Sequence, residues 1–352
     1  MVARTPGIEY EFASTPATGT AAPVAGGVHW LRMPLPFALS HINLWLLEDA
    51  DEWVIVDTGL HSDEAKAIWE ATLDGYMHGR AVNRVIATHL HPDHVGNAGW
   101  LSRRCNTGLH MTRNEYLLCR QLSSSSERPD IDAGIRFYRA AGFPADATDK
   151  YQKMFNLFGR AMSRLPGTYS RLRDGDTLPL GGRTWEIIVG NGHSPEHACL
   201  FCAELNVLIS GDQILPTISS NVSVFPTDPL ADPLHDWLTS IDRLAARLPD
   251  DVLVLPAHGK PFRGVKSRLA ALRAEHEEAL DKTAIQCRMP QRAIDVFPAL
   301  FGREIAGSQL IMATGEAVAH LNWLLIRDRI TRTTDAQGVH WYEARSATNS
   351  AT

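Results

Sequence analysis

Thr88-His89-Leu90-His91-Pro92-Asp93-His94 packs three imidazoles and one carboxylate into the six residues from His89 to His94. The stretch just before it, Arg84-Val85-Ile86-Ala87-Thr88, is short and apolar and reads as a buried strand. The cluster therefore emerges where a strand ends. Neutral imidazole and carboxylate are donors that zinc, iron and manganese accept. Residues two apart on an extended segment point the same way, which pairs His89 with His91 and leaves Asp93 and His94 to face a neighbouring position. Four donors so close in sequence would crowd one ion and suggest two. A lone loop histidine usually caps or solvates; three in this arrangement argue for a metal.

Working outward, further donors follow short apolar runs. Gly192-His193 comes after Trp185-Glu186-Ile187-Ile188-Val189. Ser210-Gly211-Asp212 closes Val207-Leu208-Ile209-Ser210, and Ala257-His258-Gly259 follows Val252-Leu253-Val254-Leu255. Upstream, Val56-Asp57-Thr58-Gly59 ends another run. An HxHxDH motif after a strand, followed by these elements in this order, resembles the signature of the metallo-β-lactamase superfamily over about residues 30–264.

The resemblance implies an α/β fold, a four-layer αββα sandwich. It also implies two divalent metal ions, zinc first, with iron or manganese as alternatives. His89, His91 and His193 would hold the first ion, and Asp93, His94 and His258 the second, with Asp212 bridging them. A hydroxide shared by the ions would attack an acyl ester or thioester. Asp93 would serve both as ligand and as proton acceptor. Asp57 is either a support accepting a hydrogen bond from a ligand imidazole or a turn-forming residue before Gly59. His197, four residues after His193, is either a catalytic residue lining the pocket or a satisfied structural histidine.

The chain has 352 residues, which suits one large domain and a smaller one. We expect an N-terminal arm over 1–29, the sandwich over 30–264 and a C-terminal helical domain over 265–352. Helix patterns are expected over 62–76 with Ser62 as N-cap, near Val95, over 233–247, and over 266–282. Ninety-nine positions separate His94 from His193, and the helical insertion 113–168 lies between them. Its Phe137, Tyr138, Met154, Phe155, Leu157, Phe158 and Met162 fit either a lid over an apolar substrate portion or a packing or dimer-forming excursion, broken by Ser123-Ser124-Ser125-Ser126. An amphipathic helix over 314–328 precedes two strand runs separated by Asp335-Ala336-Gln337-Gly338, which suggests a winged-helix-like appendage or a plain packing element.

A formal net charge of −6 disfavours a dedicated nucleic-acid binder. Five cysteines at irregular spacing build no disulfide framework. Cys199 and Cys202 lie three apart on a strand and face opposite ways, as buried small hydrophobes. The N-terminus, Met1-Val2-Ala3-Arg4-Thr5-Pro6, lacks a basic segment followed by an apolar core, and no run approaches the roughly 20 apolar residues of a membrane span. The expected setting is cytoplasmic, without membrane or nucleic-acid partners, acting on a small-molecule acyl substrate and with a homodimer as an option.

No glutathione-binding basic pattern follows His258, although the chain is similar to the glyoxalase II-like and lactamase-like branch. Arg263, Lys266, Arg268 and Arg273 could meet an anionic substrate or form a solvated helix face. Three alternatives remain: a phosphodiesterase or nuclease of the same fold, a mononuclear iron dioxygenase acting on sulfur compounds, and a non-catalytic binding module. The full second donor set argues against the last two.

Overall fold

The computed structural model describes residues 6–36, 39–124, 128–154, 157–303, 305 and 307–345. Residues 1–5, Ser125, Ser126 and Phe155, on which the leader, serine-break and lid readings partly rested, lie outside this set. Chain contacts divide into two compact units. The first comprises Met1–Ser125, Asn156–Ser220 and Ile241–Ala270; the second comprises Ser126–Phe155, Asn221–Ser240 and Ala271–Thr352.

The first unit is built on two seven-stranded sheets. One contains, in chain order, β1 (Glu9–Tyr10), β9 (Thr177–Leu180), β10 (Arg183–Gly190), β11 (His197–Cys202), β12 (Val207–Gly211), β13 (Leu253–Pro256) and β14 (Phe262–Arg263). The other contains β2 (Ala21–Ala25), β3 (Val28–Pro34), β4 (His41–Asp49), β5 (Glu52–Val56), β6 (Val82–Ile86), β7 (Gly108–Thr112) and β8 (Ser170–Leu172). The strand orders are β1-β14-β13-β12-β11-β10-β9 and β2-β3-β4-β5-β6-β7-β8.

Alternation assigns the faces. Val28, Trp30, Trp45, Leu47, Val54, Val56 and Ile86 of one sheet share a core with Trp185, Ile187, Ala198, Leu200, Ile209 and Leu255 of the other. The intervening residues Leu31, Met33, Ile42, Leu44, Leu46, Ile55 and Val85 pack outward with Ala65 and Trp69 of the helix Asp63–Ala71, and with Ala98 and Leu101 of Ala98–Arg104. Burial on both faces explains the near-continuous apolar runs of β4 and β5, because no face is left for polar residues. Each fully buried Leu, Ile or Val contributes about 1.5–3 kcal/mol of apolar transfer energy.

Several local expectations hold. Ser62 caps its helix by accepting from the Ala65 N–H at 3.1 Å, though the last turn, Thr72–Tyr76, widens to a π-helix. The helix Pro233–Arg247 spans the expected residues. Ala198, Leu200 and Cys202 point into the inter-sheet core while Cys199 points away from it, its Sγ 3.8 Å from His197 Nδ1. Other features were not anticipated. The arm carries two edge strands, β1 and β2, and β3, β8 and β9 went unread. β6 ends at Ile86, so Ala87 and Thr88 already belong to the loop.

In the second unit, Tyr138, Phe143 and Ala147 form a small core, with Phe137, Tyr151, Ile294, Leu310 and Ile311 packed on it. Tyr138 is thus committed to packing, Phe137 is only partly buried against it, and Phe158 and Met162 pack in the first unit. The helix Leu310–Ile326 is buried nearly all round, from Ala313 to Leu324, instead of showing the expected amphipathic stripe. After it come β15 (Ile330–Thr334) and β16 (His340–Ala344), an antiparallel pair. Asp335 Oδ1 closes their turn by accepting from the N–H groups of Gln337 and Val339, each at 2.9 Å. Among the described residues no helix is long and apolar enough to cross a membrane.

Candidate metal centre

Every predicted donor follows the C-terminal end of a strand in the first unit. His89 and His91 lie in the loop after β6. Asp93 and His94 sit on the short helix Pro92–Val95, with His91 at its N-cap position. His193 follows β10, Asp212 follows β12, and His258 follows β13. β12 and β13 are parallel, and β10 is related to them through antiparallel β11, so these three strands deliver their ends to one edge.

The loops are then tied together. Ala198 N–H donates to Thr88 O at 2.8 Å, Ala257 N–H to Gly211 O at 3.0 Å, and Asn43 N–H to Ala257 O at 2.7 Å. Asn43 Nδ2 adds bonds to Pro256 O and Gly259 O, at 2.9 and 2.8 Å. Arg268 is buried, not part of a solvated face: its guanidinium donates to Leu215 O and Ile218 O at 2.6 and 2.9 Å, in the segment after Asp212. Arg263 pairs with Glu11 at 2.8 Å.

The donors fall into two groups, His89, His91, His193 and Asp212, and Asp93, His94 and His258; within each, one donor atom per residue lies within 4.8 Å of the others. Asp212 also reaches the second group. Its Oδ2 is 3.4 Å from His193 Nε2 and 3.5 Å from His94 Nε2, and its Oδ1 is 3.6 Å from His258 Nε2. Asp93 Oδ2 is 3.4 Å from His258 Nε2. These gaps exceed hydrogen-bond length. They approximate the edge of a tetrahedron with ~2.0–2.1 Å metal–ligand bonds, about 3.3–3.4 Å. His94 Nε2 and Asp212 Oδ1 are buried and make no hydrogen bond, which is costly unless a cation completes them. The donor set suits divalent metal ions.

The outward ring nitrogens are held by the protein. His94 Nδ1–H donates to Asp57 Oδ2 at 2.8 Å, and His258 Nδ1–H to His41 O at 2.8 Å. Each contact leaves Nε2 as the inward donor. Asp57 also accepts from Thr88 N–H at 2.8 Å and from the Thr88 hydroxyl at 2.9 Å. It does so from a left-handed backbone, φ 62°, a conformation that Asp tolerates better than most residues. Of its two readings, the contact with a cluster imidazole is the one the geometry displays.

Burial lowers His89 well below the ordinary histidine value, neighbouring histidines add to this, and His91 falls to about 3 for the same reasons. Both are neutral at physiological pH. In the second group, burial alone would also lower His94, but Asp212, Asp57 and Asp93 hold it well above the ordinary value. His258 is raised against burial by Asp212 and Asp93. Burial would raise Asp212, but His94 and His258 hold it well below the carboxylate range.

His197 is not where a pocket-lining catalytic group would be. It is fully buried, stacked on the His89 ring at 4.7 Å, and its Nε2 accepts from the Asp212 N–H at 3.1 Å. Burial first, then His193, lowers its pKa well below the ordinary value, which keeps that acceptor nitrogen unprotonated. It braces two donors from behind. Gly211 allows this approach: its φ is +50°, and a Cβ would lie 2.5 Å from His197 Nε2.

Sequence reasoning missed Glu115. This fully buried carboxylate accepts from the N–H of Leu90, between His89 and His91, at 2.9 Å, and from the N–H of Glu196 at 2.7 Å. It thereby clamps the two loops that carry the first group, and burial pushes its pKa up to about 7. A carboxylate at the start of a helix gave no signal of this, since helix N-termini commonly carry one.

The profile of the Metallo-beta-lactamase superfamily matches residues 39–258, and that of the Metallo-beta-lactamase-like C-terminal domain matches residues 280–345. The crystal structure of a beta-lactamase domain protein from Burkholderia ambifaria is similar with a TM-score of 0.88 and 40% identity, covering 96% of this chain and 98% of that one. The probable metallo-hydrolase YqjP of Bacillus subtilis is 26% identical over 317 residues, 86% of this chain and 93% of the relative. The acyl-coenzyme A thioesterase MBLAC2 of Bos taurus is 22% identical over 250 residues, 67% of this chain and 79% of the relative.

Proposed function

This chain belongs to the metallo-β-lactamase superfamily, and we propose that it is a divalent-metal-dependent hydrolase acting on acyl thioesters or esters. The observation that carries the reading is Asp212 standing between two donor groups, within 3.4–3.6 Å of His193, His94 and His258. His89, His91 and His193 would hold one ion; Asp93, His94 and His258 the other; Asp212 would serve both. Donors restricted to nitrogen and oxygen suit zinc, with iron or manganese as alternatives. Two such ions would polarise a substrate carbonyl and bring the pKa of water towards neutrality.

The protein's own residues then define the approach. His91 and Asp93 are half-buried, whereas His89, His94, His193, Asp212 and His258 are buried, so substrate enters from the His91–Asp93 side. Asp93, the most accessible carboxylate of the site, is placed to accept the proton of the attacking water and pass it to the leaving group. Asp57, Thr88 and His41 keep the ligand rings oriented, and Glu115 keeps the two ligand loops apart by a constant distance.

The preference for thioesters is supported by the bovine thioesterase relative. The test is turnover by zinc-reconstituted protein of acyl-coenzyme A thioesters, carboxylic esters and bis(4-nitrophenyl) phosphate in parallel. We expect thioester cleavage with about two metals per chain, abolished in Asp212→Ala. Cleavage of the phosphodiester alone would overturn the acyl reading, and one iron per chain in protein purified without added metal, with oxygen consumption, would overturn hydrolysis.

A further inference from the structure

The second unit carries a half-open cavity of about 600 Å³. That lies within the roughly 300–1,000 Å³ of small-molecule sites. Its wall is contributed by the helix Arg128–Ala140, the segment 226–230, the helix Leu310–Ile326 and the hairpin β15–β16. Arg136, Arg139 and Arg332 line it together with His340, and among the described residues no Asp or Glu does.

Among the described residues none of the three arginines is ion-paired with a carboxylate, unlike Arg292, Arg327, Arg329 and Arg345 of the same unit. Arg332 instead stands opposite buried Tyr342, its cross-strand partner. Strand alternation puts Arg332, His340 and Tyr342 on one face of the hairpin, turned to the cavity. A protein with a formal charge of −6 has ample carboxylates to neutralise such a cluster, yet none of the described ones lines the cavity.

We propose that this cavity binds an organic phosphate monoester carrying an apolar body. A carboxylate brings a single negative charge to three guanidiniums, whereas a phosphate monoester brings about −1.5 to −2 and three acceptor oxygens. Guanidinium forks match those oxygens with paired hydrogen bonds. An inorganic ion would leave most of the volume unfilled, since a water occupies only about 30 Å³. The remaining lining, Val318, Leu230, Pro226, Pro229 and Phe137, is apolar and would enclose the body of the ligand. The proposal concerns the second unit alone and is independent of the hydrolase reading.

Calorimetric titration of the full chain with decyl phosphate and with AMP tests it, with inorganic phosphate, decanol and a single-stranded oligonucleotide as comparisons. We expect at least one ester to bind roughly tenfold or more tighter than inorganic phosphate or decanol. Arg136→Gln and Arg332→Gln should each weaken it about tenfold, ~1.4 kcal/mol. Arg136 is exposed, so its variant keeps the fold, and thermal melting checks both variants. A preference for decyl phosphate identifies an alkyl body and a preference for AMP a planar one. The proposal is overturned if neither ester binds, if inorganic phosphate or decanol binds as tightly, if both folded variants bind unchanged, or if the oligonucleotide binds more tightly through the same arginines.

Discussion

The two donor groups share a strand edge and one carboxylate, yet they are electrostatic opposites. His89 and His91 are pressed by burial and by other imidazoles into the neutral state, ready to donate a lone pair. His94 and His258 stand among Asp57, Asp93 and Asp212, which hold them protonated past their usual range. His89 and His91 need no proton to settle them, while the carboxylates around His94 and His258 recruit protons, which a metal must displace.

The largest effect is expected where the two groups join. Asp212→Ala removes the carboxylate that both share, and loss of several kcal/mol of charge stabilisation should lower turnover by roughly 10³-fold or more. Metal content should fall below two per chain. Full loading with unchanged turnover would show that the groups work independently.

Glu115→Ala should act mainly on the loops of the first group. It leaves the buried N–H groups of Leu90 and Glu196 unsatisfied. At about 1–3 kcal/mol each, the cost should be on the order of 3 kcal/mol in denaturant unfolding. Glu115→Gln keeps an acceptor and should recover part of it. Because burial raises the folded pKa of Glu115 to about 7, its protonated form stabilises the fold at low pH, and that contribution is lost as pH rises towards 7. That share of the pH dependence should be absent in Glu115→Gln.

Asp57→Asn probes the second group alone. With the partner of His94 Nδ1 weakened, metal affinity there should drop about 10–100-fold while the first group is unaffected, as competitive titration with a chromophoric chelator would read. Equal loss at both would erase the contrast.

The smallest effect is in proton release. His94 and His258 hold protons more firmly than ordinary histidines, so loading the second group should release protons and weaken as pH falls. Loading should release few protons from His89 and His91 down to acidic pH, given His91 at about 3. In the metal-free chain the ion pairs of His94 and His258 stabilise the fold below the ordinary histidine value and fade as pH rises through the raised one. Calorimetry in buffers of different ionisation enthalpy separates the two groups.

Much of this site was legible because metal donors announce themselves: few other roles call for His-x-His-x-Asp-His after an apolar run, and the later Gly-His and Gly-Asp pairs each follow a strand. The strands were readable where both faces are buried, as in β4 and β5. β3 was missed because His29, Arg32 and Pro34 interrupt its apolar pattern at its half-buried positions, β1 and β14 are two residues each, and β2 is a run of small residues broken by Pro23, which reads as loop. His197 and Asp57 left two readings each, since a single histidine or aspartate is defined only by what it touches.

The sequence by itself determined the family, the donor residues and the strands that carry them, because residue type and period along the chain encode both. Only the tertiary structure decided that His197 lies behind His89, that Glu115 ties Leu90 to Glu196, that Arg268 is buried and that three arginines share one cavity. Those relations join residues far apart in the chain, and no local pattern records which of many carboxylates, imidazoles or guanidiniums will meet once the sheets have packed.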